Sequence, residues 1–460
     1  MPSRGPSNRN RPARTRDEVL QQHLTRLWRK VAARRNPPSL DRWLRKELGE
    51  LNGLRRQERL MLGDMVTDAI RFGVLIVFAD TWAADTSVPL TNPEALADAW
   101  EAPSGPDLWN ALRALPVPVV FHWAFMRRRL DGTARPPVPA PDDRCAKVWR
   151  LLREDAPRSR NLRLRCVWNG LPPHLAPRLE RRAELSGWTR PQLLDWLDHQ
   201  AWRPPLWLRL RHPERLEALA AELNAADFRA EIHAGALALR GPRGIYDERC
   251  WLEGEVDIQD LASQAIGRAV DVRPGQAVWD QCAGAGGKTL QLAAAAGTEG
   301  AVHATDIHQG RLRDLERRVK RAGLANVTVE HWDGAEAPEA VAAVIAAGGY
   351  PRVLVDAPCS GSGTWRRNPD GRLRDLDRAV AELNAVQRGL LERAAPAVAP
   401  GGLLIYATCS WLPEEDEAVV DAFLAAHPEF AARSRGVAGL PLADSDTTFA
   451  AVLERKAAGT

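Results

Sequence analysis

Short apolar segments alternate with helical segments along the C-terminal half of the chain, and this rhythm restricts the possible folds more than any other feature. The strand-like segments are Ala277–Trp279, Ala301–Ala304, Val327–Glu330, Val353–Val355 and Leu403–Tyr406. The helical segments between them are Thr289–Ala296, Arg311–Ala322, Ala335–Ala347 and Leu376–Ala397. Strands that alternate with helices form parallel sheets covered on both faces. The sequence therefore predicts an α/β fold with a Rossmann-like, doubly wound sheet.

Composition and patterning divide the whole chain into five segments. The helical N-terminal region has apolar residues at helix spacing, and the module that follows the linker has an α+β pattern, with a strand at 206–211 and a helix at 213–228. The predicted segments are a disordered basic arm at 1–16, a helical region at 17–131, a proline-rich linker at 132–144, a small α+β module at 145–248 and the alternating unit at 249–460.

Overall composition is typical of a globular protein in a reducing compartment. Of 460 residues, 45% are hydrophobic and 27% are charged, and no apolar run approaches the roughly 20 residues of a membrane helix. The N-terminus lacks the apolar core of a secretion signal, so a cytoplasmic protein is expected. A monomer is expected as well. Six cysteines without zinc-type spacing predict no metal site, and Cys145, Cys166 and Cys250 are expected to be buried.

Positive charge is concentrated at the N-terminus. The net charge is only +4, but residues 1–35 contain nine arginines and one lysine against Asp17 and Glu18. Guanidinium groups favour phosphate contacts, so RNA or DNA is a candidate partner. A compositional bias towards Ala, Arg and Pro explains the same pattern without a nucleic acid, and charge alone does not separate the two explanations.

A glycine-rich segment follows the first strand of the alternating unit and precedes a helix. Glycines at this turn allow a ligand to approach the backbone, and the helix N-terminus offers free N–H groups. Asp306 and Asp333 follow the next two strands, where carboxylates can bind an adenosyl cofactor, although helix capping is an alternative role for Asp280 and Asp306. The candidate loop residues are Cys282, Ala283, Gly284, Ala285, Gly286, Gly287 and Lys288. A phosphate-binding P-loop requires glycine six residues before the lysine, and Cys282 occupies that position.

Two cysteines stand just beyond the last two predicted strands. Cys359 and Cys409 should meet at one crevice, because the carboxyl ends of parallel strands share an edge. Thiols there suggest covalent chemistry, such as addition to carbon 6 of cytosine, which makes carbon 5 nucleophilic. Asp356 could bind the polar edge of such a ring, and the adjacent arginines 366 and 367 could favour a thiolate or bind phosphate. The alternative is a pair of buried structural thiols.

These segments resemble a known family. The C-terminal unit is similar to the bacterial RNA cytosine-carbon-5 methyltransferases of the Fmu/Sun type, which act on 16S ribosomal RNA. Two departures from the family pattern are Gly284-Ala285, where Ala-Pro is usual, and Asp446-Thr447-Thr448-Phe449, where DGFF is usual. The matching segments are GEVDIQDLASQ (254–264), DQCAGAGGKT (280–289), DAPCSGSGTWRRNPD (356–370) and YATCSWLPEEDEAVVDAFL (406–424).

The resemblance implies a class I methyltransferase fold and S-adenosyl-L-methionine as the cofactor. It implies that the cofactor is bound by the Cys282–Lys288 loop together with Asp306, Asp333 and Asp356. It also implies that Cys409 is the nucleophile and that Cys359 assists product release. The 145–248 module is similar to the family's RNA-binding subdomain, and residues 17–131 faintly resemble its NusB-like front domain.

Three alternative functions stay open at the level of sequence. Transfer RNA or DNA is an alternative substrate for the same reaction, and a Pro-Cys nucleophile like Pro358-Cys359 is found in DNA enzymes. A non-catalytic RNA-binding or ribosome-assembly protein with a methyltransferase fold is an alternative of a different class. Retention of both thiols and of the three acids favours the enzyme.

Overall fold

The computed structural model describes residues 15–128, 142–241 and 244–457. Contacts group them into two compact units. The first ends at His174 and also contains Asn368–Arg374, and the second comprises Leu175–Arg367 and the chain from Asp375 onward. Most of the predicted basic arm and of the predicted linker lie outside the described residues.

The first unit is helical, as predicted for the N-terminal region. Thr15 and Glu18 form a capping box at the start of the first helix, and Trp28 and Trp109 are buried in the core. Its helices are α1 (Arg16–Ala32), α2 (Leu40–Gly49), α3 (Arg56–Arg71), α4 (Gly73–Ala84), α5 (Pro93–Ala99), α6 (Gly105–Ala114), α7 (Val117–Arg128), α8 (Asp143–Asp155) and α9 (Leu162–Trp168).

The compact units do not divide at the predicted linker. Helices α8 and α9 belong to the first unit, because their side chains bind the helices before them. The Arg144 guanidinium donates to the carbonyl oxygen of Ala83 at 2.9 Å, and the Asn161 amide donates to the Asp98 carboxylate at 2.9 Å. The proposed 145–248 module therefore corresponds to the second unit only from Leu175 onward.

The second unit begins with two helices and a small antiparallel sheet. The sheet order is β2-β3-β1-β4, and Leu208, Leu223, Phe228 and Leu237 form its core with a covering helix. This region contains α10 (Ala176–Ser186), α11 (Arg190–His199), β1 (Leu206–Leu210), α12 (Leu216–Ala225), β2 (Arg229–His233), β3 (Ala236–Arg240), α13 (Arg249–Leu252) and β4 (Val256–Ile258).

A seven-stranded sheet forms the rest of the second unit, in the order β10-β11-β9-β8-β5-β6-β7. The strands are β5 (Ala277–Asp280), β6 (Ala301–Asp306), β7 (Val327–His331), β8 (Tyr350–Asp356), β9 (Val398–Thr408), β10 (Phe430–Gly439) and β11 (Thr447–Arg455). The helices are α14 (Leu261–Ala269), α15 (Gly287–Ala296), α16 (Gln309–Ala322), α17 (Glu339–Ala346), α18 (Leu376–Ala394) and α19 (Glu417–Ala426). The five predicted strands form the parallel part of this sheet, so the predicted fold class is confirmed.

An antiparallel hairpin extends the sheet beyond the predicted strands. Strand β11 pairs antiparallel with both β9 and β10. In the parallel part of the sheet, β5 lies between β6 and β8. The chain adds β6 and β7 on one side of β5 and then β8 and β9 on the other, so the strand order reverses at β5. Ligands of open α/β sheets bind outside the carboxyl ends of the strands at such a reversal.

Among the described residues, none of the helices is long and apolar enough to cross a membrane.

Candidate functional site

A cavity of about 610 Å³ opens at the carboxyl ends of the parallel strands. Its walls come from the loops that follow all five parallel strands and from α18 and the start of β11. Among the predicted site residues, those that line the cavity are Cys282, Ala283, Gly284, Ala285, Gly287, Lys288, Asp306, Asp333, Asp356, Cys359 and Cys409. The structure thus brings together residues that are up to 127 positions apart in the sequence.

Gly286 is the predicted loop residue that does not line this cavity. Its φ is +85°, and a Cβ atom built there would lie 2.1 Å from Cδ1 of Leu315, which is itself fully buried. Gly286 therefore contributes through the backbone turn into α15 and through close packing. At Gly284 and Gly287 a Cβ would meet no atom within 4 Å, so the cavity side of the loop is open.

Asp306 holds the glycine-rich loop from the end of β6. Its Oδ2 accepts a hydrogen bond from the Gly284 N–H at 2.8 Å, and its Oδ1 accepts one from the His308 N–H at 2.7 Å. The Ala283 N–H donates to the carbonyl oxygen of Thr305 at 2.8 Å. The Asp306 carboxylate thus stabilises the turn and also lies on the cavity wall. The sequence offered these two roles as alternatives, and the structure contains both.

Asp280 and Asp333 have different surroundings. Asp280 is buried beneath the loop, and its Oδ2 accepts a hydrogen bond from the Thr289 hydroxyl at 2.6 Å. Burial raises its pKa to about 7. Asp333 is exposed at the rim, where Oδ1 accepts a hydrogen bond from the Ala335 N–H at 2.9 Å. Asp280 is therefore a structural acid of the loop, whereas Asp333 is accessible to a ligand.

Lys288 and Asp356 form an ion pair inside the cavity, with Nζ and Oδ2 2.7 Å apart. Burial by itself would lower the pKa of Lys288, but the charge and the hydrogen bond of Asp356 outweigh it and raise this pKa. The negative charge of a Cys409 thiolate acts in the same direction. Lys288 is therefore a fixed cation that faces both the acid and the second thiol.

Cys359 and Cys409 lie together, with their sulfur atoms 3.1 Å apart. The hydrogen bond to Cys409, burial and the charges of Cys409 and Glu415 hold the pKa of the Cys359 thiol well above its usual range. Cys359 is therefore protonated near neutral pH and can donate its hydrogen to the other sulfur. The two thiols therefore meet beyond the ends of β8 and β9, as their positions in the sequence predict.

The cysteine loops are fixed by buried polar groups that sequence reasoning missed. The Gly363 N–H donates to the carbonyl oxygen of Cys409 at 3.0 Å, and the Ser362 and Ser410 hydroxyls are 2.9 Å apart. The Thr408 hydroxyl donates to Asp416 at 2.6 Å, and Asp416 also accepts from Arg182 at 3.0 Å. Most of these partners lie far apart in the sequence, so spacing gives little signal for them.

The two arginines after the first cysteine have separate roles, which corrects a shared expectation. Arg366 is buried, and its guanidinium donates to the backbone carbonyls of His199, Trp202 and Ser445, so it is structural and does not face a ligand. Arg367 lines the cavity and forms an ion pair with Asp446. Burial would lower the pKa of Arg367, but Asp446 and Asp260 outweigh it and raise this pKa.

Asp260 connects the cavity wall to the start of β11. It caps α14 by accepting from the Ala262 N–H at 3.0 Å, and it also accepts from the Asp446 N–H at 3.2 Å. Burial and the charge of Asp446 raise the pKa of Asp260 to about 7. Asp260 thus caps a helix and also has a position in the cavity wall. The departing Asp446-Thr447-Thr448-Phe449 segment forms part of the same wall and of β11.

Comparison with known sequences finds relatives of the alternating unit. Residues 268–450 match the family model described as 16S rRNA methyltransferase RsmB/F. Ribosomal RNA small subunit methyltransferase B of Yersinia pestis and that of Yersinia pseudotuberculosis are each 36% identical over 250 residues, which are 53% of this chain and 57% of the relative. The chain thus spans little more than half the length of the curated relatives it matches. Over the matched region, the expected resemblance to RNA methyltransferases of the Fmu/Sun type is confirmed.

Comparison with solved structures supports the fold over a longer part of the chain. The structure of PH0851 has a TM-score of 0.62 and 25% identity, and the match covers 89% of this chain and 93% of that one. A methyltransferase homologue from Pyrococcus horikoshii has a TM-score of 0.52 at 23% identity, over 65% of this chain and 99% of that one. These likenesses support the predicted α/β fold and extend the similarity beyond the alternating unit.

Proposed function

We propose that this protein transfers a methyl group from S-adenosylmethionine to carbon 5 of a cytosine in RNA, with small-subunit ribosomal RNA as the preferred substrate. The observation that carries the proposal is the pair of thiols, 3.1 Å apart, in the cavity that the glycine-rich loop also lines. A cytoplasmic monomer is part of the proposal, and light scattering of the purified chain tests the oligomeric state.

The cavity residues fit S-adenosylmethionine. A volume of about 610 Å³ lies within the range of small-molecule sites. Among the described residues, the buried Oε1 of Gln281 has no hydrogen-bond partner, and Gln281 lines the cavity. We propose that Asp306 binds the ribose hydroxyls of the cofactor and that Asp333 contacts its adenine. The backbone of residues 282–288 would approach the remaining part of the cofactor. When bound, this cofactor supplies an electrophilic methyl group.

The protein's own groups activate the cytosine in the proposed mechanism. The Cys409 thiolate adds to carbon 6 of the ring, and the resulting enamine electrons make carbon 5 nucleophilic. Lys288 and Arg367 both interact electrostatically with Cys409, so two cations act on the attacking sulfur. Asp356, held by Lys288, lies in the same cavity and can bind the polar edge of the ring.

Cys359 acts in the second half of the proposed reaction. After methylation, a base removes the carbon-5 proton, the ring double bond re-forms and the carbon–sulfur bond to Cys409 breaks. The departing sulfur leaves as a thiolate. Because the Cys359 thiol stays protonated and lies 3.1 Å from that sulfur, it can donate a hydrogen bond to the leaving group.

Methyl transfer to defined substrates tests the proposed activity. Labelled S-adenosylmethionine is offered with free 16S ribosomal RNA, small ribosomal subunits, transfer RNA or DNA. We expect label in ribosomal RNA, mapped to 5-methylcytosine. Label in transfer RNA or DNA alone would replace the proposed substrate, and cofactor binding without transfer to any RNA would favour a non-catalytic RNA-binding protein.

Single substitutions test the roles of the two thiols. We expect Cys409→Ala to abolish turnover and to form no covalent adduct, because the attacking sulfur is missing. Cys359→Ala should form an adduct with RNA that survives denaturing electrophoresis, because release is impaired. Cys250→Ala, which removes a buried thiol of the small module, is the matched control and should turn over. An adduct with Cys409→Ala but not with Cys359→Ala would reverse the assignment.

A further inference from the structure

Glu415 is a fully buried acid in the segment between β9 and α19. Both of its carboxylate oxygens bind the residue that follows Cys359. Oε1 accepts a hydrogen bond from the Ser360 N–H at 2.8 Å, and Oε2 accepts one from the Ser360 hydroxyl at 2.6 Å. The Glu415 carbonyl oxygen accepts a further bond from the Tyr406 hydroxyl at 2.6 Å. The acid is thereby fixed to β9 while it grips the loop that carries Cys359.

Gln387 of α18 holds the other side of the same cysteine. Its amide nitrogen donates to the carbonyl oxygen of Pro358 at 3.0 Å and to Oε1 of Glu415 at 3.2 Å. The residues immediately before and after Cys359 are therefore both tied to one buried network. Hydrogen bonds to a charged acceptor are stronger than bonds between neutral groups. The position of the Cys359 sulfur opposite Cys409 thus depends on a carboxylate 56 residues away in the sequence.

The geometry argues against a direct chemical role for Glu415. The side chain does not line the catalytic cavity, and its oxygens face Ser360 and Gln387. A general base must reach the proton that it removes. The acid can act on the reaction through the placement of Cys359, and its charge adds to the effects that keep that thiol protonated.

We infer that Glu415 is a positioning residue that holds Cys359 in contact with Cys409. This inference rests on the proposed roles of the two thiols. Glutamine at this position has the same shape, but its amide nitrogen cannot accept a hydrogen bond from Ser360. The substitution therefore loosens one anchor of the Cys359 loop and removes a buried negative charge without creating a cavity.

The first test needs no RNA and no methyl transfer. Diamide oxidises two neighbouring thiols to a disulfide and itself takes up the two electrons and two protons. We expect the Cys359–Cys409 disulfide to form at least about tenfold more slowly in Glu415→Gln than in the wild type, because misplacement of reacting atoms by about 1 Å can slow a reaction by about a hundredfold. Peptide mass spectrometry quantifies the disulfide. Glu414→Gln is the matched control, because Glu414 binds the partly exposed Arg178 and does not contact Ser360. Equal rates in the two variants would overturn the inference.

The second test separates positioning from general stability. We expect Glu415→Gln to retain methyl transfer in a single turnover but to accumulate the covalent RNA adduct, as Cys359→Ala does, so that kcat falls much more than the single-turnover rate. A variant that unfolds is replaced by Ser360→Ala, which removes only the hydroxyl anchor and should show the same effects at smaller size. A folded variant with normal release would contradict the inference. If neither wild type nor Cys359→Ala forms an adduct, the proposed function fails, while the diamide rates still decide the role of Glu415.

Discussion

Asp280 shows how one buried residue couples the cofactor loop to pH. Burial raises its folded-state pKa to about 7 from an ordinary value of 3.8. The folded state therefore binds the proton more tightly than the unfolded state does. The stability from this proton is fully present below pH 3.8 and is lost as the pH rises towards 7. Above that, the loop is built around an ionised carboxylate whose main partner is the Thr289 hydroxyl.

Asp280→Asn should remove this pH dependence, because the amide does not ionise. We expect the melting temperature of the variant, relative to wild type, to rise as the pH increases from about 4 to about 7 and to level off above that. Asp280 ionises only in the wild type, whereas the buried Asp260 ionises in both proteins and cancels in the comparison. Asp314→Asn, which removes a half-exposed carboxylate of α16, controls for the loss of one charge. A difference between Asp280→Asn and wild type that stays constant with pH would show that Asp280 ionises freely in the folded protein.

The turn at Ser362–Thr364 contacts β11 and the residue after β9 in the second unit through one glycine. A Cβ atom at Gly363 would lie 1.7 Å from the carbonyl oxygen of Thr447 in β11 and 3.0 Å from that of Cys409. We expect Gly363→Ala to cost about 1–3 kcal/mol of unfolding free energy, since overpacking forces backbone shifts, and to reduce methyl transfer. Gly361→Ala is the control, because its Cβ would be 3.6 Å from the nearest atom and only its φ of +69° is strained. Equal unfolding free energies of Gly363→Ala and Gly361→Ala, measured by urea denaturation, would show that the turn shifts to make room for the added methyl group.

Elements with a strong periodic pattern were predictable from the sequence, and elements held by distant partners were not. The five apolar strands and the helices between them carry their own signal, so the doubly wound sheet was predicted correctly. Strand β10 faces solvent along much of its length, so it lacks the apolar run that marks a buried strand. Helix α17 begins later than predicted because Pro338 is its N-cap.

The candidate site followed the same division. Residues placed directly at strand ends, such as Cys359 and Cys409, were expected at one crevice, and the structure brings them there. The close approach of Gly286 to Leu315 was not predicted, and its cofactor contact stays a prediction. The groups that fix the cysteine loops, Glu415 and Gln387, were missed because they act through tertiary hydrogen bonds. The residues next to Glu415 and Gln387 in the sequence form no pattern that predicts such contacts.

At the scale of the whole molecule, the uneven charge is the property most relevant to an RNA substrate. The net charge of +4 is small for a protein of this size, yet residues 1–14 contain four arginines and no acid. These residues lie outside the described part of the chain. The next arginine, Arg16, already has a partner within the protein, because its Nε donates a hydrogen bond to Glu58 at 2.7 Å. The four arginines therefore form a separable set for testing whether N-terminal charge contributes to RNA affinity.

Replacement of Arg4, Arg9, Arg11 and Arg14 by glutamine should weaken RNA binding in a salt-dependent way. Each cation that neutralises a phosphate contributes about 0.7 to 0.9 to the slope of log K against log salt. If all four contact the RNA, the slope should fall by about 3 in the glutamine variant, as measured by fluorescence anisotropy over a salt series. Lysine at the same positions keeps the charge, so that variant should keep the slope. Identical slopes for the glutamine and lysine variants would show that the arm does not touch the phosphates, and the arginines would then reflect composition alone.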